Sequence, residues 1–140
     1  MPNHGSTGGQ RVLATALLSV AISTAAVVTG ALAATGPFTK QQAEDGHVKF
    51  NNHCAECHRP DLTGALGPSL VSDAFKQKWE GKPVADLRDW IHTNMPQNAP
   101  GSLPEDQLDP IVSWILAKNG VQPGDKPLSK DTASATFPTP

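Results

Sequence analysis

The sequence predicts one small all-α domain with three main helices, and three observations lead to this prediction. Apolar side chains recur at helical spacing in residues 84–93 and in residues 104–119. Gly46 and Phe50 are spaced i, i+4 and share one face of a further helix, expected from about residue 39 or 40 to residue 52. The length of 140 residues suits one small domain.

The composition after residue 33 is unusual for a small domain. This part of the chain contains 12 of the 13 prolines, no tyrosine and few large apolar side chains. A domain of this kind is expected to need a metal, a cofactor or disulfides for stability. Two cysteines exclude a disulfide-dense scaffold, and a net charge of −2 argues against general nucleic-acid binding.

The first 33 residues have the pattern of a secretory signal peptide. Residues 1–11 are polar and contain Arg11, and residues 12–34 carry no charge and are almost wholly apolar or small. The run ends in Ala31-Leu32-Ala33, which predicts cleavage after Ala33. Since 23 residues are enough to span a bilayer, an uncleaved membrane anchor is the alternative. In either case the domain is expected to be exported.

The remaining chain divides into a main domain and a tail. Residues 34–120 contain the three predicted helices and every motif described below. Residues 121–140 contain four prolines and few large apolar side chains, so we expect an extended and loosely held C-terminal tail. A short helical turn after Ser129 is also conceivable from the sequence.

Both cysteines lie in the run Cys54-Ala55-Glu56-Cys57-His58. A C-x-x-C-H run is the attachment pattern for a c-type haem. Two thiols three residues apart on a helical turn can reach two vinyl groups of the porphyrin, and the next residue places an imidazole on the iron. A thiol oxidoreductase would require a preceding strand, whereas residues 41–53 look helical. A zinc site would need further ligands, for which only three histidines remain after residue 33: His47, His53 and His92.

Met95 is the expected sixth ligand of the iron. It is the only methionine after residue 33, it follows a predicted helix, and it precedes Pro96. A His/Met pair raises the potential of haem iron and suits electron transfer. His92 is the alternative ligand, because His53 is too close to Cys54 to reach the other face and His47 lies on the same leading helix.

The order of these features resembles a class I cytochrome c over residues 38–120: a leading helix, C-x-x-C-H, a Gly-Pro, a middle helix, a Met-Pro and a closing helix. The resemblance implies a cytochrome c-like fold, with three main helices around one covalently attached haem. In that family the proline after the haem motif offers its carbonyl to the proximal histidine. The segment Gly67-Pro68-Ser69-Leu70 matches this pattern, so Pro68 is the expected partner of His58 and Leu70 is expected to pack against the porphyrin.

Two tryptophans are candidates for contact with the haem. Trp90 is five residues before Met95 and is expected to border the haem on the methionine side. The family often uses a tryptophan N–H to bond a haem propionate, and Trp79 is the candidate here. Packing in the protein core is the alternative for both side chains.

The resemblance further implies that the first and last helices cross closely at Gly46 and Phe50, against Trp114. Residues 102–105 fit a capping box that begins the last helix, and Gly120 fits its end. Pro110 interrupts the pattern. Either residues 104–109 form a separate turn, with Asp109 capping a helix that begins at Pro110, or the helix is kinked.

With both axial positions occupied by protein, the iron has no open site, so the expected function is one-electron transfer and not catalysis. The segment Met95–Leu103 is similar to small periplasmic cytochromes that accompany quinoprotein (PQQ-dependent) dehydrogenases. The resemblance implies such a dehydrogenase as donor, a terminal oxidase or another cytochrome as acceptor, and a periplasmic location. Two alternatives stay open: a five-coordinate haem enzyme or gas-binding protein of peroxidase type, and a membrane-anchored cytochrome subunit of a respiratory complex.

Overall fold

The computed structural model describes residues 1–5 and 35–137, so the hydrophobic run and cleavage site of the predicted signal peptide lie outside the described residues. Residues 35–137 contain α1 (Lys40–His53), α2 (Ala55–His58), α3 (Asp73–Trp79), α4 (Val84–Asn94) and α5 (Glu105–Lys118). This part of the chain contains isolated β-bridges but no strand, which confirms the all-α prediction. Over the described ranges, no helix is long and apolar enough to cross a membrane.

Helices α1 and α5 cross at Gly46, as predicted. A Cβ atom at Gly46 would overlap the backbone carbonyl of Pro110 and would lie 3.1 Å from the Cβ of Trp114. Because only glycine permits this approach, the cost of about 1 kcal/mol for glycine within a helix is offset by close packing of the two helices. The crossing places the buried ring of Phe50 in the main core.

The range of α5 agrees with the predicted helix over about residues 104–119, but two predictions for its beginning are wrong. The helix is continuous from Glu105 to Lys118 and contains Pro110, so the separate turn capped by Asp109 is wrong. The capping box is also wrong, because the N-cap is Pro104 and no side chain caps the helix. Pro110 leaves the carbonyl of Asp106 without its helical N–H partner, and Asp106 lies on the exposed side, where water can bond that carbonyl.

Helix α3 was not predicted, whereas α4 closely follows its predicted range. The Ser72 side chain caps α3 by accepting a hydrogen bond from the Phe75 N–H at 3.3 Å. In α4 the predicted apolar face is buried and packs into the core. Its members are Val84, Leu87 and Ile91.

Residues 121–137, here called the C-terminal strap, are not loosely held as predicted. Phe137 is only 1% exposed, and Leu128 and Ala133 are also buried. The strap carbonyls of Ala135 and Ala133 accept hydrogen bonds, both of 2.8 Å, from the N–H groups of Val84 and Ala85 at the start of α4. Pro83, the N-cap of α4, has no side-chain acceptor for these groups. The strap therefore supplies the N-terminal cap that the local sequence of α4 lacks.

A second attachment of the strap is at α1. The Gln42 side-chain amide donates to the Leu128 carbonyl at 2.8 Å, and its oxygen accepts from the Leu128 N–H at 2.6 Å. The Ala133 N–H also donates to the Ser129 carbonyl at 3.0 Å, which forms the short helical turn after Ser129. A few buried apolar side chains and long-range hydrogen bonds thus fix the strap, although its composition predicted a loose tail.

Candidate functional site

A cavity of about 740 Å³ lies between residues of α1, α2, α3, α4 and α5. This volume is within the range of about 300–1,000 Å³ that is usual for small-molecule and cofactor sites. All eight predicted site residues line it: Cys54, Cys57, His58, Pro68, Leu70, Trp79, Trp90 and Met95. The fold therefore brings into one cavity residues that are up to 41 positions apart in the sequence.

His58 is held in one orientation by the turn that follows it. Its Nδ1 lies 2.8 Å from the carbonyl oxygen of Pro68, the predicted partner. Since a carbonyl oxygen only accepts, Nδ1 carries the proton and donates, and Nε2 keeps its lone pair. Gly67 lies against the imidazole, because a Cβ there would be 2.7 Å from Cε1 of His58. The His58 ring is thus held in one orientation, and its tautomer leaves the Nε2 lone pair available to bind a metal ion.

The two cysteines form no disulfide with each other, and both are partly buried at the same cavity. Burial raises the pKa of Cys54 to about 12, and the neighbouring Cys57 contributes to the rise. The Cys54 thiol is therefore uncharged at neutral pH. Because α2 begins directly after Cys54 and ends at His58, one helical turn carries both thiols and the imidazole.

Met95 is the C-cap residue of α4, where the helix ends and the chain extends. Its N–H donates to the carbonyl of Ile91 at 2.8 Å, and its partly buried side chain packs against the core. The rival ligand His92 is exposed and does not line the cavity. Of the other two histidines, His53 lines the cavity next to Cys54, and His47 stacks on Trp114 with ring centroids 4.3 Å apart.

The two candidate tryptophans form a pair at the wall of the cavity. Trp79, at the end of α3, is buried, and Trp90 on α4 is partly exposed. Their rings meet edge to face, with centroids 6.1 Å apart and an interplanar angle of 63°. Lys78 Nζ lies over both rings, and sequence reasoning did not identify this contact.

The turn that contains Pro68 and Leu70 is tied to the rest of the domain by both backbone groups of Leu70. The Leu70 N–H donates to the Leu62 carbonyl at 2.9 Å, and the Leu70 carbonyl accepts from the Asn119 side chain at 2.9 Å. Asn119 is the C-cap of α5, so the turn that orients His58 is anchored to the helix that crosses α1.

A buried ion pair connects α4 to α5 and was missed by sequence reasoning. Arg88 Nε donates to the carboxylate of Asp109 at 2.6 Å, and both side chains are buried. A second arm of Arg88 reaches the more exposed Glu105 at 3.2 Å. These hydrogen bonds and charges raise the pKa of Arg88, although its burial has a strong opposite effect. The pair fixes the position of α4, which carries Trp90 and ends at Met95.

The cavity fits a covalently attached haem. Its lining is mainly apolar, two free thiols lie at one helical turn, and His58 Nε2 and the Met95 sulfur are a nitrogen and a sulfur donor suited to iron. Over residues 1–5 and 35–137, no group of three or more His, Cys, Asp or Glu side chains is arranged to hold a metal ion.

Comparisons with known proteins agree with this chemistry. Residues 41–115 match the family described as cytochrome c oxidase, cbb3-type, subunit III. Cytochrome c55X of Pseudomonas aeruginosa is 31% identical over 103 residues, which cover 71% of this chain and 82% of that protein.

A chain from the crystal structure of the sulfane dehydrogenase SoxCD of Paracoccus pantotrophus has a similar fold, with a TM-score of 0.52 and 20% sequence identity. The match covers 73% of this chain and 58% of that one, so this chain spans less than two thirds of that neighbour.

Proposed function

Because this chain belongs to the class I c-type cytochromes and carries a covalent haem c, we propose that it transfers single electrons through an iron held by His58 and Met95. The observation that carries the proposal is the shared cavity, which is lined by both cysteines, by His58 with Nδ1 engaged, and by Met95. The exposure of His92 outside the cavity lining favours Met95 as the sixth ligand.

The bound haem supplies the one-electron iron couple, and the protein determines its environment. The Pro68 carbonyl orients the His58 ring and makes its Nε2 more basic. A thioether ligand favours reduced iron, and apolar walls that exclude water act in the same direction. If His58 and Met95 both hold the iron, the bound haem would offer no vacant position for a substrate.

Oxidised and reduced absorption spectra of the purified protein test the ligation. We expect Met95→Ala to lose the charge-transfer absorption of methionine-ligated Fe(III), and the matched variant His92→Ala to keep it. The opposite result would make His92 the ligand.

Carbon monoxide binding to the reduced wild-type protein at neutral pH would favour the five-coordinate alternative and contradict the proposal.

The proposed donor is a quinoprotein (PQQ-dependent) dehydrogenase, and the proposed acceptor is a terminal oxidase or another cytochrome. The sequence of the segment Met95–Leu103 supports this choice of donor. The cavity rim there is uncharged, since Pro96, Gln97 and Asn98 line it, and the exposed side chain of Leu66 lies at the same cavity. A rim of this kind favours brief docking through apolar and neutral polar contacts.

Stopped-flow reduction by a purified quinoprotein dehydrogenase tests the donor. We expect a rate that depends weakly on ionic strength, because residues 96–98 of the rim are uncharged and the charged side chains that line the cavity, Glu56 and Lys78, have opposite signs. A steep fall of the rate with salt would show that strong electrostatic steering governs docking. No reduction at catalytically relevant protein concentrations would refute this donor.

The proposed location is the periplasm, with residues 1–33 as a cleaved signal peptide. N-terminal sequencing of the protein purified from its host should give Ala34 as the first residue. A start at Met1 or Pro2, together with recovery in the membrane fraction, would support the anchored alternative.

A further inference from the structure

Lys78 is held at the wall of the cavity by two indole rings. Its Nζ lies 4.5 Å from the ring centre of Trp90 and 4.8 Å from that of Trp79. Both distances are within the limit of about 6 Å for a cation–π interaction. Lys78 also lines the cavity itself. The ammonium group is therefore restrained at the wall of the cavity, although the side chain as a whole is exposed.

The neighbouring lysines differ from Lys78 in this respect. Lys82 Nζ lies over Trp79 alone, at 5.6 Å, and neither Lys82 nor Lys76 lines the cavity. Among residues 35–137, the salt bridges do not include Lys78, so no carboxylate of this region neutralises its charge at short range. Lys78 is thus a restrained cation with aromatic partners at the cofactor cavity.

We propose that Lys78 is a positioned charge that raises the reduction potential of the haem, and that Trp79 and Trp90 are the positioning residues that hold it. Reduction adds one negative charge to the haem, and a fixed cation nearby stabilises the reduced form by Coulomb attraction. Water and salt weaken this attraction but do not abolish it at a distance comparable with the screening length. The inference rests on the proposed electron-transfer function and identifies a residue that adjusts it.

Potentiometric titration of the holoprotein, followed by the haem spectrum, tests the role of Lys78. In Lys78→Gln we expect the ratio of reduced to oxidised protein at a fixed applied potential to fall roughly three- to tenfold, where tenfold equals 59 mV for a one-electron couple. Lys78→Arg keeps the charge and a cation–π partner, so it should retain most of the wild-type ratio.

The matched control is Lys118→Gln. Lys118 Nζ lies over the ring of Trp114 at 5.4 Å, so this variant removes the same charge from the same kind of contact, and neither residue lines the cavity. We expect its ratio to change by less than about twofold. Equal shifts in Lys78→Gln and Lys118→Gln would mean that net charge alone matters and would overturn the proposal, as would an unchanged ratio in Lys78→Gln.

A double-mutant cycle with Trp90→Leu tests the positioning role. If Trp90 holds the ammonium, Lys78→Gln should change the ratio less in the Trp90→Leu protein than in the wild type. The same effect in both backgrounds would refute the role of Trp90.

The spectra separate this test from a failure of the proposed function. Variants that keep the methionine–iron absorption and do not bind carbon monoxide are still six-coordinate, so an equal shift in them overturns only the role of Lys78. Carbon monoxide binding to the wild-type protein would instead refute the proposed ligation.

Discussion

Arg88→Met tests how strongly the buried ion pair holds α4 against α5. The Arg88 side chain is 4% exposed and its partner Asp109 is 10% exposed. Removal of Arg88 leaves the Asp109 carboxylate buried without a cation, and such a loss costs about 3–5 kcal/mol of unfolding free energy. Since small domains are stable by only about 5–15 kcal/mol, we expect a large decrease in stability.

Two matched variants locate the origin of that cost. Glu105 is 68% exposed, so Glu105→Gln removes a solvated partner of Arg88 and should cost less than about 1 kcal/mol. The double variant Arg88→Met, Asp109→Leu replaces both charges by apolar groups and should recover most of the loss seen in Arg88→Met. Such a recovery would assign the cost to the unpaired carboxylate and not to lost packing.

The assay is urea or guanidinium unfolding of the holoprotein, followed by helical circular dichroism, with a check that the m-value is unchanged. Burial raises the pKa of Asp109, and Arg88 opposes this rise, so its removal should raise the pKa further. A raised folded-state pKa means that stability is lost as pH rises through that pKa. The deficit of Arg88→Met relative to the wild type should therefore be greater at pH 7 than in mild acid.

Two results would refute this reasoning. The first is a cost for Arg88→Met that is no greater than that of Glu105→Gln. The second is a double variant that is as unstable as Arg88→Met alone, which would assign the loss to packing.

Three other variants test the helix crossing, the strap and the haem. Gly46→Ala should lower the unfolding free energy by about 1 kcal/mol or more, because the clash at the crossing exceeds the gain of about 1 kcal/mol in helix propensity. A variant more stable than the wild type would contradict the close approach of α1 and α5. Phe137→Ala should lower the unfolding free energy, measured with denaturant, by about 3–5 kcal/mol, whereas the exposed control Thr136→Ala should lower it by less than about 0.5 kcal/mol. Equally small effects of the two variants would favour a loose tail. Cys54→Ala with Cys57→Ala should abolish the cooperative thermal transition measured by circular dichroism, and native-like helicity in this protein would show that the chain folds without its haem.

The parts of the site that could be derived from the residues alone, without the family resemblance, are those encoded locally. The C-x-x-C-H spacing places two thiols and an imidazole on one helical turn without information from the rest of the chain. The apolar spacing of α4 likewise gave its range almost to the residue. The close approach at Gly46 depends on a distant helix, but it could still be predicted. A glycine within a helix lowers helix stability, and this unfavourable effect indicated a packing reason for its presence.

The features that sequence reasoning missed depend on partners distant in the chain. Glu105 and Asp109 were assigned to helix capping, but both carboxylates bond Arg88, which is 17 and 21 residues away. A charged side chain is normally expected in solvent, so the sequence contained no sign of a buried pair. The helix α3 had one local signal, Ser72 followed by Asp73, which is typical of an N-cap and a first helical residue.

The attachment of the C-terminal strap limits where the chain can accept added residues. Ala133 and Phe137 are buried and Ala135 is partly buried, whereas Ser134 and Thr136 between them are exposed. An insertion between residues 129 and 132 would displace these buried side chains from the start of α4, whereas exposed residues 125–127 can accommodate additional length. A fusion partner or affinity tag should likewise begin only after residue 137, because the Phe137 N–H and carbonyl both bond the α3–α4 connection.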